Sequence, residues 1–201
     1  VGTYSTTFSS EETGMAFQGN NLLTTNFTVS NMTKFDSNGV IIPPNPFITN
    51  DAGSHNESVV FDLAGNMYIG QADGTRDVIK RDANGVFLDS YDVATQSRGS
   101  DWITLASDNH TLYYTSEGSK IFRYDVATDT QLADFADVGG ICFALRLLPD
   151  KQLLVGAIRR LQQCNELLAA EADHRLARAA VVLQQRGGMP QGEVADGVPV
   201  Q

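Results

Sequence analysis

The chain has 201 residues, of which 42% are hydrophobic and 19% charged, with a formal charge of −10; this suffices for one sizeable core and excludes a disordered chain. No run of 18 apolar residues encodes a membrane span, and the opening VGTYSTTFSS has neither the charged and apolar regions of a secretory signal nor an initiating Met, so the start is expected to have been removed. Before residue 159 there are 19 Asp and Glu against 9 Lys and Arg, an acidic body that repels phosphate backbones and excludes nucleic acid as the partner.

The first predicted unit, about 13–52, holds the strand NNLLTTNFT from Asn20 and then MTKFDSNG. The second, about 53–98, reads as the strand ESVVFD, the turn LAGN, the alternating strand NMYIGQ, the strand RDVIKRD, the turn ANG and the strand VFLDSYDV. The third, about 99–139, repeats the order with DWITLAS, TLYYTSE, KIFRYD and QLADFADV, and the fourth, about 140–161, begins it again with ICFALRLL and KQLLVGA. Leu22, Met67, Leu112 and Leu153 hold the same place in the second strands, 45, 45 and 41 residues apart; Phe35, Arg81, Tyr124 and Leu161 form a second anchor at spacings of 46, 43 and 37. Two anchors with one period define a repeat of four antiparallel strands in about 43 residues, the unit of a β-propeller blade. The fold class is therefore all-β: a partial propeller of three blades and an incomplete fourth, whose open sheet edges invite self-association.

The pattern breaks near Leu161, where no hairpin follows, and all 17 aromatic residues lie before residue 159. Residues 162–201 read as a non-propeller tail. A helix is predicted over 165–186, with Leu168, Ala172, Leu176, Ala180 and Leu183 on one stripe, Asn165 as N-cap and Gly187-Gly188 as the stop. Its composition equally fits a change of reading frame near residues 158–164, which makes the chain a truncated or frame-shifted product without its own function.

The pattern SVVFDLAGNMYIG…VIKRDANG resembles the NHL and gluconolactonase-like propellers, six- or seven-bladed, and the blocks GQADGTRDV, RGSDWITLASD and LYYTSEGSKIFRYD are similar to bacterial propeller proteins carrying such repeats. The resemblance covers residues 13 to about 161. It implies a fold more than a function, because propellers serve many activities. Gluconolactonase-like propellers hold one divalent cation over the central channel with acidic and Asn side chains from inner-strand starts. The resemblance places Glu57 and Asp101 there as metal ligands for Ca²⁺ or Mg²⁺, with Gly140 or Cys142 at the matching place in the fourth unit and no clear Asn ligand. Trp102, beside Asp101, is read as a core wedge or as a ligand platform at the channel mouth.

No G-x-S-x-G, P-loop, dinucleotide or H-E-x-x-H motif occurs. His55, His110 and His174 have no local partner and are read as solvated or packing residues, Cys142 as a small core residue, and Cys142 with Cys164 as no disulfide framework. The sequons at Asn26, Asn31, Asn56 and Asn109 matter only in a glycosylating host. The segments Asp36–Gly39, Asp62–Asn66 and Asp82–Gly85 are hairpin turns and not Ca²⁺ loops, and Asp73, Arg76 and Asp77 form a solvated loop. The functional expectation is a binding or scaffolding propeller meeting a protein or a small neutral ligand at its loop face, with no cofactor. The rivals are a divalent-metal lactone or ester hydrolase and the remnant described above. The compartment leans outward from the cell only weakly.

Overall fold

Short apolar strands separated by turns that demand positive φ can bury one face each only by stacking sheet upon sheet. The computed structural model describes residues 5–149, 152–159 and 177–184. The first sheet orders β1 (Glu12–Gln18), β2 (Asn21–Asn26), β3 (Asn31–Phe35) and β4 (Ile48–Thr49) side by side, all antiparallel. The second repeats this with β5 (Asn56–Phe61), β6 (Met67–Gln71), β7 (Val78–Arg81) and β8 (Phe87–Tyr91). In the third, β9 (Ile103–Leu105), β10 (Thr111–Tyr114) and β11 (Lys120–Asp125) are followed by an outer place split between β12 (Thr130–Gln131) and β13 (Ala136–Asp137). The expected strand QLADFADV is thus two short pieces; between them Phe135 sets its ring edge-on against Tyr113, centroids 5.2 Å apart.

The two sequence anchors prove to be direct partners across the ladder: Leu22 opposite Phe35, Met67 opposite Arg81, Leu112 opposite Tyr124. The period is therefore one register repeated, with the Asp-led turns holding it in place. Asp36 and Asp82 each accept backbone N–H bonds from residues two and four places on, at 2.8–2.9 Å, and Gly39, Gly65 and Gly85 close these turns at φ of 80–88°.

The fourth sheet departs from expectation. After β14 (Ile141–Leu147), β15 (Gln152–Arg159) runs through residues expected to begin a third strand, and the third place is taken by β16 (Ala177–Gln184), with Leu153 opposite both Leu147 and Leu183. Over Ala177–Gln184 the chain is thus a strand and not the expected helix. The free edge of β15 offers a row of unpaired donors and acceptors, and paired β-branched Val181 and Val182 favour a strand once that edge is available. The rest of that expected helix, with Leu161, Cys164 and His174, lies outside the described residues.

The first strands meet in succession, β1 against β5, β5 against β9 and β9 against β14, and each joint between sheets holds one core. Leu23, Met32 and Ile48 pack on Val59, Met67 and Ile69; Tyr68, Val78 and Tyr91 on Ile103, Leu112 and Tyr114; Tyr113, Ile121 and Val138 on Cys142, Leu145 and Leu153. A hydroxyl pins each joint to the backbone of the following sheet: Thr25 Oγ1 donates to Glu57 O (3.2 Å), Ser58 Oγ to Asp101 O (2.9 Å) and Thr115 Oγ1 to Phe143 O (2.6 Å). Among the described residues there is no helix long and apolar enough to cross a membrane.

Candidate functional site

First strands begin, and second strands end, at the same edge of each sheet. That edge gathers Glu57 on β5, Asp101 two residues before β9, Glu117 in the loop after β10, Asp73 in the loop after β6, and Arg98 and His55 in the loops leading into β9 and β5. Backbone bonds fix these loops: Ala72 N to His55 O (3.0 Å), Gly99 N to Ala72 O (2.7 Å) and Arg98 N to Ser116 O (3.1 Å).

Asp73 is the hub. Its Oδ2 is shared with His55 Nδ1 at 2.6 Å and with the Arg98 guanidinium, whose Nη1 lies 3.9 Å from Glu117 Oε1. Phe27, directly after β2, stacks on the His55 ring (centroids 4.6 Å apart) with Arg98 5.6 Å from its centroid. Burial works against the Asp73 carboxylate, but the hydrogen bonds from His55 and Arg98 outweigh it and hold the group below the ordinary carboxylate range.

Glu57 and Asp101 go the other way. Burial, followed by repulsion from Asp101, pushes the Glu57 carboxyl up to about 8, against the pull of Arg98. Burial, followed by repulsion from Glu117, pushes Asp101 up to about 7. Asp101 is only 3% exposed, and among the described residues its carboxyl accepts no hydrogen bond. The site thus holds two strained carboxyls while its main fixed cation, Arg98, is already engaged by Asp73.

Glu57 and Asp101 are brought to one edge as expected. Among the described residues no group of three or more His, Cys, Asp or Glu side chains is placed to hold a metal ion, and no chemistry is derived through one. Trp102 is half-buried and packs on the third joint core, the place held by Ser58 and Gly14 in the preceding sheets. Cys142 is buried in the same core.

Three expectations are corrected. His55 has a partner, pairing with Asp73, whereas the His110 side chain is 43% exposed, as a solvated residue is, and its Nδ1 makes no hydrogen bond among the described residues. The loop of Asp73, Arg76 and Asp77 is not simply solvated, since Asp73 anchors the network and Asp77 accepts the Ser90 hydroxyl at 2.6 Å. Asn26, Asn31 and Asn56 are buried and linked to other Asn side chains, which removes three of the four sequons as glycan acceptors. Arg98, Glu117 and Phe27 were not singled out from sequence; Phe27 and Glu117 share a signal of position with Asp73, since all three follow second strands of the repeat, whereas Arg98 precedes a first strand.

No family model and no curated protein matches the chain. Solved structures do. A streptogramin B lyase aligns at a TM-score of 0.57 and 14% identity over 88% of this chain and 55% of its own. A virginiamycin B lyase from Staphylococcus aureus aligns at 0.56 and 10% over 90% and 57%. The computationally designed Ika8 protein aligns at 0.52 and 17% over 75% and 44%. The chain spans about half the length of these three proteins. Both lyases are β-propellers, and the likeness shows a propeller fold for this chain.

Proposed function

We propose that this chain forms NHL-like propeller blades that bind a small ligand over the edge formed by Glu57, Asp101, Glu117 and Arg98, and that the ligand brings a positive charge. The observation that carries this reading is Asp101: a carboxyl on a residue 3% exposed, without a hydrogen-bond donor among the described residues, and raised to about 7. A buried carboxyl in that state gains its missing partner from a cation, and giving up its proton is the cost of binding. Affinity for a cation therefore rises with pH through about 7 to 8, as Asp101 and then Glu57 ionise.

Thermal unfolding with Ca²⁺, Mg²⁺ and putrescine as probes, at pH 6 and pH 8.5, tests this. The expected result is stabilisation by at least one probe, larger at pH 8.5 and lost in Asp101→Asn. A melting temperature indifferent to all three at both pH values overturns the reading. The hydrolase reading keeps Glu57 and Asp101 as metal ligands, and the two lyases show that the fold carries enzymes. Turnover of a simple lactone that needs Ca²⁺ or Mg²⁺ and disappears in Glu57→Gln would favour it over binding alone.

A further inference from the structure

Met15 and Phe17 on β1 are 65% and 71% exposed, which is unusual for apolar residues at the first strand of a stacked sheet. Their register explains what they are for. Met15 lies opposite Thr24 and Phe17 opposite Leu22. With the repeat anchors superposed, these are the places of Val59 and Phe61 in the second sheet, Ile103 and Leu105 in the third, and Leu145 and Leu147 in the fourth. Each of those three pairs packs into the joint with the preceding sheet. Met15 and Phe17 are the same half-joint, with no other sheet of the described residues packed against it. On this face the Thr24 hydroxyl, opposite Met15, is buried and has no hydrogen-bond partner.

The other end of the stack carries the matching half. Leu154 occupies the place of Leu23, Tyr68 and Tyr113, all of which are buried in the joint with the sheet that follows. Leu154 is only half-buried, and Ile141, on the same side of the fourth sheet and opposite Ile158, is 46% exposed. The two ends are therefore a leading and a trailing face of one interface, which the chain itself builds three times.

We propose that a second copy of this chain docks its trailing face, around Leu154 and Ile141, onto the leading face of Met15 and Phe17, and that two copies related by a two-fold axis make this joint twice. Continuity with the three joints inside the chain selects this occupant. Contact between unlike faces closes only if the rotation completes a ring; closure by two copies would leave neither face open, whereas a rotation that fails to close would give filaments. The proposal is independent of the ligand reading, since neither face includes a residue of that edge.

Sedimentation velocity on the full chain between 1 and 100 μM tests it. The expected species is a dimer of the 21.7 kDa chain. Phe17→Asp and Leu154→Lys, each checked for native strand content by circular dichroism, are expected to be monomeric alone. An equimolar mixture regains dimer, because it preserves one wild-type joint and sets opposite charges in the other. Should either variant lose its fold, Met15→Lys and Ile141→Lys replace them. A wild-type monomer throughout the range, open-ended filaments, or variants that dimerise as well as the wild type would overturn the proposal.

Discussion

The first two joints use the same chemistry with the roles of their strands exchanged. In the first sheet the first-strand residue is Gly14 and the second-strand residue opposite is Thr25, whose hydroxyl accepts from Gly14 N (2.7 Å) and donates to Glu57 O. In the second sheet the equivalent places hold Ser58 and Gly70, and it is the first-strand hydroxyl that donates to Asp101 O and accepts from Ile103 N (3.0 Å). Each of these two joints has room for one hydroxyl and one bare backbone, whereas the third sets Thr115 and Trp102 at the same places. The hydroxyl is a property of the pair of positions, and either strand can supply it. What the comparison teaches is that in these two joints the sheets approach so closely that one of the two residues must lack a Cβ.

The strongest test of that lesson is Gly70→Ala. A Cβ there would sit 2.2 Å from Ser100 O and 2.7 Å from Ser58 Oγ, and the first of these is backbone that cannot turn aside. The expected loss is ~3 kcal/mol or more, at the upper end of overpacking costs, measured by urea unfolding. Gly14→Ala, with its Cβ 2.6 Å from Glu57 O, should cost nearly as much. If Gly70→Ala unfolds within 1 kcal/mol of wild type, close approach is not what selects glycine here.

Removing the hydroxyl instead of adding a carbon should cost less. Ser58→Ala strands Ile103 N and Asp101 O, with Ser58 itself 2% exposed, and about 1–3 kcal/mol is expected for a buried donor and acceptor left unmet. Thr25→Ser keeps the hydroxyl and should cost under ~1 kcal/mol, while Thr25→Val keeps the shape and should cost about as much as Ser58→Ala. Equal losses for Thr25→Ser and Thr25→Val would mean that methyl packing, and not the bond, holds the first joint.

This exchange also explains what sequence alone could and could not reveal. Leu22, Met67 and Leu112 were legible because the same residue class holds one register place at every repeat, facing a joint core at Met67 and Leu112, and the ladder pairs them with the second anchors. Gly14 with Thr25 and Ser58 with Gly70 were not, because a compensated swap leaves no period. The strand over Ala177–Gln184 was hidden for another reason: its pattern suits a helix until the edge of β15 supplies partners. At the candidate site, Glu57 and Asp101 could be named because they head equivalent strands. Arg98 and His55 take their meaning from Asp73, 25 and 18 residues away in the chain, and no local motif announces such a contact.

The partly exposed ionic edge beside these buried joints responds to pH where they do not. Glu57 and Asp101 have folded values of about 8 and about 7 against 4.5 and 3.8 unfolded, so between those limits the folded chain holds more protons than the unfolded one. Their contribution to stability is therefore complete below pH 4 and is lost as pH rises through about 7 to 8. Arg98 opposes that loss by attracting both carboxylates once they ionise. At pH 5, where Glu57 and Asp101 are largely protonated, Arg98→Met removes mainly the pair with Asp73, whose side chains are 32% and 31% exposed, and should cost no more than ~1 kcal/mol. As pH rises the gap from wild type should widen, because without Arg98 both carboxyls move further up and the falling limb extends to higher pH. Urea unfolding of the two proteins at half-unit steps from pH 5 to pH 9 reads this directly. Parallel curves would mean that Arg98 serves Asp73 and His55 alone and is electrostatically blind to the carboxyls at the heads of β5 and β9.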